Sequence, residues 1–550
     1  MKTRLLCFFT CICSLAVFAQ DNTNAIPIGW NFPLDDVTTI ELPILNLEDI
    51  VAEDQINDLD KTLPWRYGVV REIHLNLLES ATPLELSNGS KIWRIAIQSP
   101  EALNLSVNFD RFSLPEGATL QFYNASKTDA SKLYDMGSNR VSKVLGSWFV
   151  EGDTIVIEYY QPSGSSISNA ELVIGNVIHG YRLGKVHQFL EGRGLEDSGD
   201  CNYDVNCSVG SDFEAKKDMV KRAVALLNLG NGKLCSASLV NNALQDKTPF
   251  LLTANHCLQD SDPALWSVRF NWMSPGPICG EVGETEDIQS NFTMSGTQLR
   301  AHNSTSDFAL VQLYNPIPSS WDVVFAGWDR SDETPSYQIG IHHPNGDIMK
   351  VCRDNDPAGK DVANGTNVWL IKGTSSGNGN GWDIGTTESG SSGSPLFDDQ
   401  GKIIGQLYAG LSACNGTESN ADFDLYGRFA VSWEGSQAGN ALKYWLDPLD
   451  TGIQQMGSME NALSIDDFEI EAQLMVFPNP ASEYITILNT QYPHLSYRFY
   501  SILGQELQLG DMSNSQNLLD VRHFEEGIYF LYLFDEDSQK SITKKIIIKR

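Results

Sequence analysis

The stretch Gly390-Ser391-Ser392-Gly393-Ser394-Pro395 is the segment around which the rest of this 550-residue chain is organised. A serine between small residues in a Gly-rich turn can stand clear of the backbone, and its small neighbours let a bulky acyl group approach. The backbone N–H groups of Gly390 and Ser392 can also point at one position, as an oxyanion hole requires. Because Gly/Ser loops are also common as flexible linkers, the hexapeptide predicts a nucleophile only together with other residues.

Two upstream segments supply the groups that would activate Ser392. An apolar run, residues 251–254, leads to His256, and Asp307 opens a second apolar run, residues 308–311. A serine hydroxyl is a poor nucleophile until a base takes its proton, and imidazole does this near neutral pH. A carboxylate on the other ring nitrogen fixes the tautomer. The pattern therefore predicts His256, Asp307 and Ser392 as base, orienter and nucleophile, in the chain order of chymotrypsin-like proteases.

The bulk composition narrows the function. The length predicts two to four domains, and a hydrophobic content of 41% is typical of globular folding. The net charge of -32 argues against nucleic-acid binding, because phosphates would be repelled. No segment has convincing metal-ligand spacing, so neither a metal nor a cofactor is expected.

The N-terminal part predicts export and a separate β-rich region. Residues 1–19 combine basic Lys2 and Arg4 with an apolar core, as in a secretory signal peptide. No later apolar run is long enough to span a bilayer. Residues 20–195 show alternating strands separated by turns, which favours a β-sandwich. This region is predicted to be a propeptide that keeps an enzyme latent, with a permanent binding module as the alternative. Cleavage points in its connector could be Arg182, Lys185 and Arg193.

The middle and the end of the chain differ in cysteine content. Residues 196–457 hold seven of the ten cysteines, which in an exported chain predicts a disulfide framework. The pairing cannot be read from the spacing, and the odd number leaves one cysteine over. Residues 458–471 form a predicted linker, and residues 472–550 a small all-β domain with no evident catalytic constellation.

Residues 196–455 resemble bacterial lysyl endopeptidase, a secreted relative of trypsin. Besides the segments around residues 256, 307 and 392, the resemblance rests on Cys201-Asn202-Tyr203-Asp204-Val205-Asn206-Cys207, Ser238-Leu239-Val240-Asn241-Asn242, Phe325-Ala326-Gly327-Trp328-Asp329-Arg330, Ile341-His342-His343-Pro344-Asn345, Gly405-Gln406-Leu407 and Tyr426-Gly427-Arg428. It implies an all-β fold of two antiparallel barrels, with the triad in the cleft between them. It also implies the disulfides Cys201–Cys414, Cys207–Cys279 and Cys235–Cys257, and it leaves Cys352 as the odd thiol.

The same resemblance points to a specificity pocket. The position six residues before Ser392, where trypsin carries its acid, is Thr386. The family instead has an aspartate just before Tyr-Gly-Arg, and Asp424 matches it. A buried carboxylate there would select a cationic side chain. Nearby rivals for this role are Asp422 and Glu388.

Two positions depart from the patterns of trypsin and of this family. Ser391 replaces the aspartate that trypsin pairs with its new N-terminus, so that activation switch should be absent, as in lysyl endopeptidases. The histidine that follows Gly-Gln-Leu in the family is Tyr408 here, and Trp369 corresponds to its stacked tryptophan.

The last 75 residues are similar to the type IX secretion sorting domain of Bacteroidetes. The resemblance rests on the Pro478-Asn479-Pro480 entry, the Gly527-Ile528-Tyr529 strand and the basic C-terminus. It implies contact with the type IX secretion machinery and a location outside the cell or on its surface.

The sequence thus predicts a secreted, monomeric serine endopeptidase that cuts after Lys. Whether it also cuts after Arg is left open. The alternatives are a Glu-specific protease, with Thr387 in its pocket, and an inactive adhesin on a protease fold.

Overall fold

The computed structural model describes residues 26–164, 170–182, 198–283, 292–376, 379–461, 474–477, 480–489, 495–501, 505–512, 516–535 and 540–550. The predicted signal peptide lies outside these ranges, as do Lys185, Arg193 and most of the predicted linker. The chain divides into two compact units, Met1–Met459 and Glu460–Arg550. Among the described residues, no helix has the length and apolar character needed to cross a membrane.

The first unit begins with an N-terminal domain of two sheets. Its elements are β1 (Thr38–Glu41), α1 (Glu48–Asn57), β2 (Trp65–Arg66), β3 (Gly68–Asn76), α2 (Leu77–Ser80), β4 (Pro83–Glu85), β5 (Lys91–Gln98), β6 (Asn104–Ser113), β7 (Thr119–Asn124), β8 (Leu145–Gly146), β9 (Val150–Glu151), β10 (Thr154–Gln161) and β11 (Glu171–Gly180). One sheet has the order β1-β5-β10-β7, with β4 beside β5. The other has the order β3-β11-β6-β8, with β9 beside β6.

The two sheets of this domain pack face to face. Ile95, Phe122 and Ile157 of the first sheet share a fully buried core with Phe109 and Ile174 of the second. Alternate residues of each strand point into this layer, because side chains on a strand alternate between its faces. The predicted β-sandwich is confirmed.

The rest of the first unit follows, and it is called the protease part here after the sequence-based prediction. Its elements are β12 (Tyr203–Asp204), α3 (Glu214–Val220), β13 (Val224–Asn228), β14 (Lys233–Val240), β15 (Phe250–Ala254), β16 (Ser267–Phe270), β17 (Phe292–Ser295), β18 (Thr297–Asn303), β19 (Phe308–Leu313), β20 (Val324–Phe325), β21 (Gln338–His342), β22 (Lys350–Asp354), β23 (Gly359–Ala363), β24 (Thr366–Ile371), β25 (Pro395–Phe397), β26 (Ile403–Gly410), β27 (Cys414–Asn415), β28 (Glu418–Ser419), β29 (Asp424–Arg428), α4 (Phe429–Trp433), α5 (Lys443–Leu446) and, at the boundary with the second unit, β30 (Met459–Glu460).

Two large antiparallel sheets make up this part. One has the order β17-β16-β13-β14-β15-β19-β18, and the other β12-β22-β21-β25-β26-β29-β24-β23. Strands β13 and β15 are buried along their whole length, which explains why their sequences are continuous apolar runs rather than alternating ones. Leu252 and Leu310 of the first sheet share one core cluster with Ile341 and Val351 of the second. The all-β, two-barrel expectation is confirmed.

The N-terminal domain contributes a strand to the protease. β2 lies antiparallel to β14, with Trp65 opposite Leu234 and Arg66 opposite Lys233. A separate buried cluster joins the two parts, and it consists of Trp65, Tyr67, Trp148, Phe149, Ile178, Leu226, Leu234, Trp272 and Ile348. Burial of this many large apolar side chains stabilises the contact by several kcal/mol, at ~1.5–3 kcal/mol for each fully buried side chain.

The second unit is a smaller sandwich. Its strands are β31 (Leu474–Phe477), β32 (Tyr484–Asn489), β33 (Leu495–Ser501), β34 (Glu506–Met512), β35 (Gln516–Asp520), β36 (Gly527–Asp535) and β37 (Lys540–Ile548). One sheet has the order β31-β32-β35 and the other β34-β33-β36-β37. Ile487, Phe499, Leu531 and Ile546 meet in the core between them, as the sequence predicts.

Candidate active site

The end of β15 places a histidine against an aspartate. His256 lies in the turn after β15, and the disulfide between Cys257 and Cys235 ties this turn to β14. Nδ1 of His256 is 2.8 Å from Oδ2 of Asp307, and the His256 backbone N–H donates to Oδ1 of the same carboxylate at 3.0 Å. The carboxylate therefore requires the proton on Nδ1, which leaves Nε2 as a base.

Asp307 is held by its own backbone as well as by its carboxylate contacts. It is buried, it lies in the left-handed region with φ 52, and its carbonyl accepts the N–H of Asn255 at 2.8 Å. Aspartate tolerates this conformation better than most residues do. The turn before β19 thus aims the carboxylate at the turn after β15.

The serine turn depends on two glycines. Gly390 and Gly393 have φ of +89 and +81, where other residues are strained. A Cβ on Gly390 would lie 2.9 Å from the nitrogen of Asn345, and one on Gly393 would lie 2.7 Å from the nitrogen of Ala254. Both are shorter than normal contacts. The close approach at Gly393 brings the turn that carries Ser392 against the end of β15, from which the chain continues to His256.

The residue before the nucleophile has a neutral partner. The hydroxyl of Ser391 lies 2.8 Å from Nδ1 of His342, and it accepts the N–H of Glu388 at 3.3 Å. Burial holds the pKa of His342 well below its usual value, and the nearby positive charges of His343 and Lys61 act in the same direction. No acidic group occupies the position that trypsin uses for its activation switch.

Asp424 forms the floor of a buried pocket at the start of β29. Its side chain is fully buried. Oδ2 accepts hydrogen bonds from Nε1 of Trp382 at 2.6 Å, from Oγ1 of Thr387 at 2.8 Å and from Oγ of Ser412 at 2.5 Å. These three neutral donors stabilise the ionised carboxylate without neutralising its charge.

Other ionisable groups near Asp424 stay neutral. Burial, together with the negative charge of Asp424, raises the pKa of the Cys352 thiol well above its usual value. The pKa of the Tyr426 hydroxyl is also raised, mainly by burial, and the negative charge of Asp424 acts in the same direction. Asp424 therefore presents a single negative charge in this part of the fold, and a cation is the ligand that would balance it.

Lys61, from the turn between α1 and β2, supplies that cation. Its Nζ lies 2.9 Å from Oδ1 of Asp424, 2.7 Å from Oγ1 of Thr387 and 2.8 Å from Oγ of Ser412. Its backbone carbonyl accepts a hydrogen bond from the Ser392 hydroxyl, with 2.8 Å between the two oxygens. One residue of the N-terminal domain thus fills the pocket with its side chain and meets the predicted nucleophile with its carbonyl.

The two aromatic residues predicted in the site have different surroundings. The ring of Tyr408 lies 6.4 Å from the ring of His256, between centroids. Trp369 is buried in the core of the second sheet, where its indole N–H donates to the carbonyl of Ile404 at 3.0 Å. The tryptophan that contacts the pocket carboxylate is Trp382 instead.

Three residues of the site have no distinctive sequence signal. Lys61 is one of many lysines, and it is 363 positions from Asp424. Trp382 and Ser412 lie in loops without a motif. The surrounding pattern Asp58-Leu59-Asp60-Lys61-Thr62 resembles an ordinary solvated turn. The oxyanion hole at Gly390 and Ser392 stays a prediction.

The disulfides have the pairing that the family resemblance implies. The structure joins Cys201 to Cys414, Cys207 to Cys279, and Cys235 to Cys257. Cys352 is a buried free thiol. The first bridge fixes the segment that carries Ser412, and the third fixes the turn that carries His256.

Residues 195–427 match the family model described as Lysyl endopeptidase, C-terminal domain. This match identifies the chain as a serine endopeptidase. Residues 475–549 match the Secretion system C-terminal sorting domain. The chain is thus a secreted protease whose tail directs it to the cell surface or beyond and engages the type IX secretion machinery.

Parts of the chain are also similar to individual proteins. A lysyl endopeptidase of Pseudomonas aeruginosa is 25% identical over 333 residues, which cover 58% of this chain and 67% of the relative. An endo-acting ulvan lyase of Formosa agariphila is 32% identical over 92 residues, which cover 16% of this chain and 17% of that protein. The crystal structure of Deg5 aligns with a TM-score of 0.24 and 13% identity, over 40% of this chain and 90% of that one.

Proposed function

We propose that this protein hydrolyses peptide bonds on the carboxyl side of lysine, with Ser392, His256 and Asp307 as its catalytic triad. The observation that carries the proposal is the position of Lys61. Its ammonium group is bound by Asp424, while its carbonyl contacts the Ser392 hydroxyl. The ammonium group thus lies where the side chain of a substrate lysine would bind, and the carbonyl lies beside the proposed nucleophile.

The pocket fits an ammonium group better than the charged groups of arginine and glutamate side chains. An ammonium has three donors around one nitrogen, and Asp424, Thr387 and Ser412 supply three acceptor oxygens within 2.9 Å of Lys61 Nζ. A guanidinium is a planar fork that prefers bidentate partners. A glutamate side chain would place two negative charges together in a buried site. The geometry therefore favours lysine over arginine and disfavours glutamate.

The reaction follows from the proposed roles. The Ser392 Oγ attacks the carbonyl carbon of the lysine residue while Nε2 of His256 takes the hydroxyl proton. Asp307 stabilises the imidazolium, and the N–H groups of Gly390 and Ser392 stabilise the oxyanion. The imidazolium then protonates the departing amine. Water, activated by the same imidazole, hydrolyses the acyl-enzyme and restores Ser392.

A digest of a peptide library by the processed enzyme tests the proposal, with Ser392→Ala as the control. Cleavage should follow lysine, and the control should show none. Cleavage after glutamate would refute the assignment of the pocket. A fluorophosphonate probe provides a second measurement, because it labels an activated serine without depending on the pocket. Folded protein that takes no label on Ser392 would indicate the protease-fold adhesin.

We further infer that export uses the predicted signal peptide at 1–19 and then the sorting domain at 472–550. The support is the match of residues 475–549 to a sorting domain. Deleting residues 472–550 in a host with type IX secretion should leave active enzyme inside the periplasm. Undiminished extracellular activity from the truncated protein would contradict this inference.

A further inference from the structure

We propose that the N-terminal domain inhibits the protease as a tethered substrate mimic, in which Lys61 blocks the lysine pocket. This inference rests on the proposed function and specifies how the site is regulated. Lys61 is only 4% exposed, and its Nζ and its carbonyl oxygen both have partners in the protease part. A substrate lysine cannot enter while Lys61 occupies the pocket.

Ion pairs hold the inhibitory segment, residues 58–64, on its N-terminal side. Asp54 is buried in the last turn of α1, and its carboxylate accepts a hydrogen bond from Nε of Arg66 at 2.7 Å. Arg182 pairs with the same carboxylate and, at 2.7 Å, with Asp58. Because buried charges cost free energy when they lose their partners, the start of the segment is fixed to the rest of the N-terminal domain.

Backbone pairing holds the segment on its C-terminal side. Trp65 and Arg66 form β2, which pairs with Lys233 and Leu234 at the start of β14. The Tyr67 N–H continues this contact by donating to the carbonyl of Gly232 at 2.8 Å. Trp65 and Tyr67 are buried in the cluster shared by the two parts. Both ends of the inhibitory segment are therefore anchored, so its effective concentration at the pocket is high.

The bond after Lys61 is also held in a form that resists cleavage. The Leu63 N–H donates to the carbonyl of Asp60 at 3.1 Å, which closes a turn around Lys61 and Thr62. The Asp60 carboxylate accepts the backbone N–H of Thr62 at 2.9 Å and its hydroxyl at 2.6 Å. The Thr62 nitrogen is the leaving group of that bond. These contacts retain it beside the acyl carbon, where re-formation of the bond competes with hydrolysis.

Inhibition by Lys61 also explains how the precursor can be inactive without the activation switch of trypsin. Ser391 bonds to the neutral imidazole of His342, so a new N-terminus has no carboxylate to pair with at that position. Asp307 already holds His256, Nε2 of His256 is buried without a hydrogen-bond partner among the described residues, and the Ser392 hydroxyl donates to the Lys61 carbonyl. Removal of Lys61 alone should then expose a competent site.

The test is the rate at which a fluorophosphonate labels Ser392 in the freshly purified, intact precursor, checked by mass spectrometry. Lys61→Ala should be labelled about 10²-fold faster than wild type, the change expected when a buried ion pair loses one member. Lys61→Met keeps the length of the side chain and removes its charge, and it should show an increase in the same direction. The matched control is Lys91→Ala, because the Lys91 side chain is 43% exposed on the same domain. Its labelling should equal that of wild type.

The outcomes separate the two proposals. Equal labelling of wild type and both Lys61 variants, with unchanged thermal melting, would overturn tethered inhibition while leaving the enzyme intact. Absence of labelling in every variant and in the processed protein would overturn the proposed function itself. A fast rate in both Lys61 variants and a slow rate in the Lys91 control supports the inference.

Discussion

Replacement of Asp424 by Asn tests whether the buried negative charge of Asp424 selects lysine, because this substitution removes the charge and changes the volume very little. The carboxylate is fully buried, and its Oδ1 lies 2.9 Å from the Lys61 ammonium. Removal of one member of a buried ion pair costs ~3–5 kcal/mol, and each 1.36 kcal/mol is tenfold in rate. Thr387 and Ser412 still accept hydrogen bonds from the ammonium, so the lower end applies. We expect kcat/KM for a lysine substrate to fall about 10²-fold.

The assay compares processed wild type and Asp424→Asn on matched peptides that differ only in lysine or norleucine before the cleaved bond. The ratio of the lysine to the norleucine kcat/KM should fall sharply in Asp424→Asn, because norleucine keeps the four-carbon chain of lysine and lacks only the ammonium group. Asp422→Asn is the matched control, since Asp422 is a nearby, half-buried acid whose carboxylate accepts a hydrogen bond from Ser375 and not from the pocket residues. The reasoning fails if Asp424→Asn keeps the preference for lysine, or if Asp422→Asn loses it.

Three further predictions concern the triad, a disulfide and a buried acid. Asp307→Asn should lower kcat by about 10⁴-fold through the wrong histidine tautomer, with unchanged circular dichroism. Replacing Cys235 and Cys257 by serine should lower the free energy of unfolding by about 3 kcal/mol in denaturant titrations, because their bridge closes a short loop. Burial raises the pKa of Asp354 from 3.8 to about 7. The folded state therefore favours the protonated acid, and this stabilisation is lost as pH rises through that window. Asp354→Asn should raise Tm relative to wild type at pH 8 and not at pH 4.

Much of the architecture follows from local patterns. Alternating apolar and polar residues in the N-terminal domain predict strands with one buried face. Continuous apolar runs in the protease part predict strands with two buried faces. The structure has strands in both places. The end of a buried strand is where a polar side chain can reach a cleft, so residues such as His256 and Asp307 can be identified from their positions alone. Family motifs extend this to Asp424, which lies at the floor of the pocket that Lys61 fills.

Which residue fills that pocket is decided by the tertiary structure. Nothing near Lys61 in the chain separates it from other surface lysines, and the contact with Asp424 joins residues 363 positions apart. Trp382 shows the same limit: its indole reaches the carboxylate at 2.6 Å because of how its loop folds over β29, whereas Trp369 is buried in the core.

The sequence by itself determined the strand content, and it predicted a nucleophile at Ser392 and an acid at Asp424 for the pocket, because these depend on local pattern and residue type. Only the tertiary structure decided that the N-terminal domain presents a lysine to this site. That contact depends on β2 pairing with β14 and on the ion pairs of Asp54, which are long-range interactions that no local pattern encodes.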